Sequence, residues 1–444
     1  MNQDLSMKLF TLVFSALSLF LYPSLTNAQI GSRFNPEKKI IEDPETGYEL
    51  IFLTNSSAGD SKIYPTHPQW TADGKWVIFR SNRVPGEAMA VNEESGAIIQ
   101  ITEGGYIGML NIATKSMHLY LMRPQGNNRE EVTMEIVQVN LTDLFKDSVE
   151  EKIKSPSYYQ KVVGTIPPKY GAMGDMALDG DEKSIYFRIG NKKEAGRHLD
   201  PELKIESDFG PRNMGEGPGG IARLSIESGE IEHVVSVPFQ VGHIQGNPWN
   251  PGEIVFCWET GGKSPQRTWT VKSDGSGLRP LYPEADYEWV THEAVISEDE
   301  VVMAIMGHRD IEAVKNNPDE NNWGPSGTRE KPTGLAIVNL KTRKMIIAGQ
   351  TKSGSGLWHV HGSSDGRWAV GDDFSRSIYL IDRNTREMKL LSAGHKSTAA
   401  DHPHPSFNAD GTKIIIQSAM LAEDGRSMDI CVIPVPENWL KRSY

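Results

Sequence analysis

The chain has 444 residues, with 46 basic against 58 acidic side chains, a formal charge of −12 and a hydrophobic fraction of 38%. That balance excludes the broad basic footprint that nucleic acid requires; an acidic ligand stays open, because a few local cations outweigh a diffuse negative surface. Two cysteines in so long a chain exclude a disulfide scaffold.

Lys8 precedes an apolar run from Leu9 to Leu21, and Thr26-Asn27-Ala28 puts small residues where a signal peptidase cuts. Residues 1–28 read as a secretory signal peptide. The apolar run is too short to span a bilayer, and no cysteine follows it to carry a lipid. Residues 29–444 are therefore expected to be secreted or periplasmic, soluble and without a membrane partner.

Internal repeats decide the architecture of such a chain. His67-Pro-Gln-Trp-Thr-Ala-Asp-Gly-Lys-Trp-Val-Ile-Phe-Arg80 places an Asp-Gly turn between two short strands, a strong hairpin signal. Gly108–Arg123 keeps the paired strands with a different turn, and Met176–Arg188 is a looser copy around Asp179-Gly180. Gly246–Glu259 and Ala294–His308 alter the turn again. The runs from His359 to Asp372 and from His404 to Gln417 restore Asp-Gly. A second strand pair follows each of six hairpins: Met89–Thr102, Met134 onward, Ile221–Val235, Thr268–Leu281, Leu335–Ala348 and Ile378–Leu391. The seventh has Met428–Val435 alone, and Tyr48–Thr54 supplies the missing strand. The fold expected is all-β: a seven-bladed β-propeller over 29–444, one domain, closed by an N-terminal strand in the last blade. No helix longer than a turn or two is expected after residue 30. Cys257 and Cys431 lie in apolar runs on distant blades and are expected as buried free thiols.

On that frame His67, His243, His292, His359, His361 and His404, six of the twelve histidines, fall at or near the start of innermost strands, around the mouth of the central channel. For His67, His402 and His404 the His-Pro context reads as framework. His359 and His361 differ, because a His-X-His pair on a strand points both rings to one side. Two such imidazoles and one from a neighbouring blade can hold a divalent metal, and His292 is the neighbour in question; the spacing alone also fits a structural role. The polar insertions Asn191–Gly220 and Asp310–Gly334 are expected over the same face.

Gly242-His243-Ile-Gln-Gly-Asn-Pro-Trp-Asn-Pro-Gly-Glu-Ile-Val-Phe-Cys257-Trp-Glu259 resembles the oligogalacturonate lyases, a family of seven-bladed pectate lyases. So do Arg267-Thr-Trp-Thr-Val-Lys-Ser-Asp-Gly, Thr291-His292-Glu293 and Trp358-His359-Val-His361-Gly-Ser-Ser-Asp-Gly, in order over about 220–370. The resemblance implies β-elimination on uronic-acid oligosaccharides with bound manganese. It puts the base at His243, metal ligands at His292, His359 and His361, and a substrate arginine in the region of Arg223. Gly354-Ser355-Gly356-Leu357 stands where the family has a glutamine ligand, a departure that touches both the metal's coordination and the preference for galacturonate. Elimination removes the C5 proton beside the uronate carboxylate, so it needs a cation there and a neutral imidazole. Water or a tyrosine would protonate the leaving oxygen, and Tyr287 is the candidate tyrosine. Two other readings stand beside this one: a lyase for another uronate polymer such as ulvan, and a non-catalytic TolB-like propeller binding sugars or proteins. The Gly-X-Ser-X-Gly string at Gly362–Gly366 falls in an Asp-Gly hairpin turn and not at a strand-to-helix nucleophile elbow, and the sequence holds no phosphate-cradling loop.

Overall fold

The computed structural model describes residues 29–126, 132–207, 214–261, 264–285, 288–306, 334–350 and 356–443. Seven antiparallel sheets follow one another in a ring, a seven-bladed β-propeller. Their innermost strands are Asp60–Lys62, Ile107–Ile112, Met176–Leu178, Val241–Gly246, Trp289–Ser297, Leu357–Gly362 and Ser406–Phe407. The N-terminal segment closes the ring. Glu49–Phe52 pairs with Asp429–Pro434 of the seventh blade, and Lys39–Glu42 lines the outer edge of that strand in turn. Arg33–Phe34 then adds a fifth strand to the first blade. One stretch of chain thus covers the edges of both blades at the seam, where bare strand edges would otherwise pair with other chains.

The repeating Asp-Gly turn has a local cause. Asp73, Asp365 and Asp410 each accept, through Oδ1, the backbone N–H two residues on, from Lys75, Arg367 and Thr412. The intervening Gly74, Gly366 and Gly411 have φ of 68°, 75° and 70°, the left-handed region that glycine occupies without steric cost. In the third blade the turn is shifted by two residues from the expected Asp179-Gly180. Asp181 Oδ1 accepts from Lys183 N, and Glu182 takes the left-handed position at φ 60°. Asp179 instead reaches into the fourth blade, accepting from Gly252 N at 2.9 Å.

Side chains of adjacent blades share the cores between them. Trp368, Val370 and Leu380 of the sixth blade pack with Phe407, Ile414 and Ile416 of the seventh, all buried. Cys257 and Cys431 are both buried and unpaired, as expected. The chain does contain a helix longer than two turns, against expectation, over Leu141–Val149. Asn140 Oδ1 caps its N-terminus by accepting from Asp143 N at 3.2 Å. Leu141, Leu144, Phe145 and Ser148 form its buried stripe. Phe145 stacks on Trp76 of the first blade at 4.1 Å between ring centres, so the helix wedges two blades together. Of the insertion Asn191–Gly220, the described part lies along the outer strands of the third blade: Ser236 Oγ donates to Ala195 O, and Glu206 N to Pro238 O. It reaches the fourth blade where Trp258 Nε1 donates to Gly215 O. The insertion Asp310–Gly334 falls outside the described residues, except Gly334.

Candidate active site

The innermost strands are not regular, and the irregularities carry the histidines. Pairing with the second strand slips between Gly242 and Gln245, between Thr291 and Ala294, and between Leu357 and Val360. His243, His292 and His359 sit inside those three slips. An extra residue in one strand re-aims a side chain that strict alternation would point elsewhere. His243 and His292 take φ of 49° and 56°, and His404, just before the innermost strand of the seventh blade, takes 53°. Such backbone costs a non-glycine residue on the order of 1 kcal/mol or more and concentrates at functional sites. The second blade slips likewise, between Ile107 and Asn111, but there the left-handed residue is Gly108.

The four histidines converge on Tyr64. Its ring centre lies 5.4 Å from that of His243, 6.4 Å from His292, 6.5 Å from His359 and 5.3 Å from His404. Its hydroxyl is 2.6 Å from His292 Nδ1. Burial, with the Glu293 carboxylate next in weight, holds the Tyr64 phenol well above its ordinary range.

On one side of Tyr64 is a charged group. His243 Nδ1 lies 3.1 Å from Glu293 Oε1, and His243 Nε2 lies 3.3 Å from Glu259 Oε2. Arg267 Nε donates to Glu293 Oε2 at 2.9 Å, and its Nη2 is 3.6 Å from Glu259. Burial depresses His243, but Glu293 and Glu259 together outweigh it and leave the imidazole raised. Glu293, fully buried, is held well below the carboxylate range because Arg267 and His243 overcome its desolvation.

On the other side the imidazoles face one another. His359 stacks on His404 at 3.6 Å, and its ring centre lies 4.2 Å from His292 and 5.2 Å from His402. Asp372 stands behind them, 3.2 Å from His359 Nδ1 and 3.4 Å from His402 Nδ1. Asp401 lies 3.2 Å from His404 Nε2. Burial first, then the neighbouring His359, pushes His292 well below the ordinary histidine range and His404 down to about 4. Ligand atoms of His359, Asp372 and His402 all lie within 4.8 Å of one another. His292 Nε2 is buried with no hydrogen-bond partner among the described residues. This set of imidazoles and one carboxylate fits a divalent cation.

The residues singled out from sequence separate accordingly. His243, His292 and His359 come together. His361 does not join them: its Nδ1 accepts from Phe407 N at 3.3 Å, and burial pushes it down to about 3. The slip at His359 breaks the alternation that would have put both rings on one side. Arg223 lies on the third strand of the third blade, where it pairs with Glu232 of the outermost strand; among the described residues no ion pair or hydrogen bond links it to His243, His292 or His359. Tyr287 lies outside the described residues. His67 is framework, its Nε2 donating to Met176 O at 2.9 Å and its Nδ1 facing Thr66 Oγ1. His402 and His404, also read as framework, belong instead to the cluster. Their His-Pro-His spacing repeats that of His359-Val-His361 and was the available signal. Tyr64, Asp372 and Arg267 had none beyond their place in a repeat or a matched string.

Neither a family model nor a curated protein matches the sequence. Among solved structures, an oligogalacturonate lyase in complex with manganese superposes with a TM-score of 0.69 at 16% identity, covering 93% of this chain and 100% of that one. The chain shares its fold. An oligogalacturonate lyase from Vibrio parahaemolyticus gives 0.68 at 18% identity with the same coverage. The WD40 repeats of RRP9 give 0.52 at 10% identity over 90% of this chain and 100% of that one. The likeness to the two lyase structures therefore exceeds that to this other propeller.

Proposed function

We propose that this chain is an exported polysaccharide lyase that cleaves uronic-acid oligosaccharides by β-elimination, with His243 as the base. The observation that carries the reading is the convergence of His243, His292, His359 and His404 on Tyr64, with a buried Arg267–Glu293 pair behind His243.

His243 takes the C5 proton of the uronate. Glu293, fixed by Arg267, orients the ring from its Nδ1 side and stabilises the imidazolium that forms, while Glu259 accompanies Nε2. Because both carboxylates raise His243, its base form grows in above the ordinary histidine range, and the reaction quickens as pH rises through that raised value. A divalent cation, manganese in the first instance, would be held by His359, Asp372 and His402 with His292 beside them, and would neutralise the uronate carboxylate as a Lewis acid. Asp372, 3.2 Å from His359 Nδ1 and 3.4 Å from His402 Nδ1, would supply the carboxylate of that set. Galacturonate oligomers are the first substrate class, and ulvan is the second, favoured by the missing glutamine before the His-X-His.

The test is absorbance from the new C4–C5 double bond on oligogalacturonates, ulvan and other uronates, with manganese and with chelator. Activity on at least one uronate is expected, lost with chelator; silence on all of them with metal supplied would overturn the proposal. Export predicts a mature N-terminus at Gln29, read by sequencing the protein recovered from periplasm or medium.

A further inference from the structure

The charged side of the site holds a second candidate set of metal ligands, in which two groups of the elimination meet a thiol that the elimination leaves unused. Cys257 lies on the second strand of the fourth blade, and its thiol lies 3.6 Å from Glu259 Oε2. One ligand atom each of His243, Cys257 and Glu293 falls within 4.8 Å of the other two. Glu293 is fully buried, and its Oε1 faces His243 Nδ1 at 3.1 Å. An imidazole, a buried carboxylate and a thiol brought this close offer the mixed nitrogen, oxygen and sulfur donors of a borderline metal site.

We propose that His243, Cys257 and Glu293 form an inhibitory site for a soft or borderline divalent cation, zinc or cadmium, distinct from the cation site around His359. The donor set is one imidazole, one thiolate and one carboxylate, which suits zinc; a thiolate is a poor ligand for manganese and magnesium. Charge agrees. With the thiol ionised, Glu259, Glu293 and Cys257 carry three negative charges against one positive on Arg267, and a divalent cation cancels the remaining two. Arg267 holds Glu293 through Oε2, leaving Oε1 for the metal. Binding releases the thiol proton to solvent, and a second from His243 when the ring is protonated, so the site tightens as pH rises. A cation there ties up a lone pair of the His243 ring and fixes it beside Glu293. The inhibitory consequence rests on His243 being the base; occupancy of the site does not.

The probe is cobalt(II), added to chelator-treated full-length protein and followed by its thiolate-to-cobalt charge-transfer absorption, then displaced with zinc. The expected result is a charge-transfer band in the wild type that survives His359→Ala and is absent from Cys257→Ser and Cys257→Ala, each checked for native circular dichroism. No band at saturating cobalt, or a band that persists in both Cys257 variants, overturns the site. In the elimination assay, Cys257→Ser keeps its basal turnover, and its half-inhibiting zinc concentration rises by about tenfold or more. Unchanged zinc sensitivity in that variant overturns the inhibitory role. A protein with the band but no activity on any uronate would retain the metal site and lose the lyase reading.

Discussion

His243 and His292 occupy corresponding places on adjacent blades, each in a pairing slip with left-handed backbone, yet their surroundings push their protons in opposite directions. Glu293 and Glu259 face His243 and raise it; burial and a ring of imidazoles depress His292. The same backbone device thus yields two chemistries, and neighbouring side chains decide which. His243 holds its proton more tightly than an ordinary histidine. His292 and His404 give theirs up more readily and offer lone pairs.

The largest effect expected is from His243→Ala, which should lower turnover on the best uronate by about 10²–10⁴-fold while circular dichroism stays native. A fully active variant would move the base elsewhere and collapse the contrast between the halves. Asp372→Ala should weaken manganese binding by about 10–100-fold or more in calorimetry, because the cation loses the one carboxylate of its ligand set. His361→Ala should leave that affinity unchanged, and an equal loss in both would return His361 to the ligand set. Glu259→Gln removes one of the carboxylates that raise His243, so the acidic limb of kcat/KM should move to lower pH. A shift to higher pH would contradict the electrostatics of the charged half.

The smallest effect concerns the neutral half in the metal-free protein. His404 has a folded value of about 4 against 6.5 for an unperturbed histidine. The unfolded chain therefore binds the proton first as pH falls, and stability is lost between about 6.5 and about 4. His404→Asn should flatten the fall of Tm across that window by a few degrees. A Tm profile identical to wild type would mean that His404 does not carry its share.

Much of the ring was legible because its signals are local. The Asp-Gly turns at Asp73, Asp365 and Asp410 pair a side-chain acceptor with a left-handed glycine, and the leftover strand at Tyr48–Thr54 found its place beside Asp429–Pro434. The helix over Leu141–Val149 breaks the strand repeat, although Asn140 and the spacing of Leu141, Leu144, Phe145 and Ser148 mark it; nine residues between two strands are also the length of an ordinary connecting loop. The site was legible in part. His243, His292 and His359 come together, but the two-residue alternation that joined His361 to His359 assumed a regular strand, and the slip between Leu357 and Val360 breaks it. Tyr64 and Asp372 are brought in by the ring's closure and by packing between blades, which no spacing along the chain records.

The left-handed histidines have one more consequence. At the corresponding slip in the second blade the residue is Gly108, whose added Cβ would meet Gly174 O at 2.0 Å. Where only folding matters, glycine is the residue such a backbone selects. His243, His292 and His404 keep bulky rings in the same conformation, and glycine at any of them would relax the chain while emptying the site. The propeller therefore carries a built-in trade between durability and activity. Variants selected for heat resistance alone should drift toward glycine at these three positions and leave the ring intact but inert.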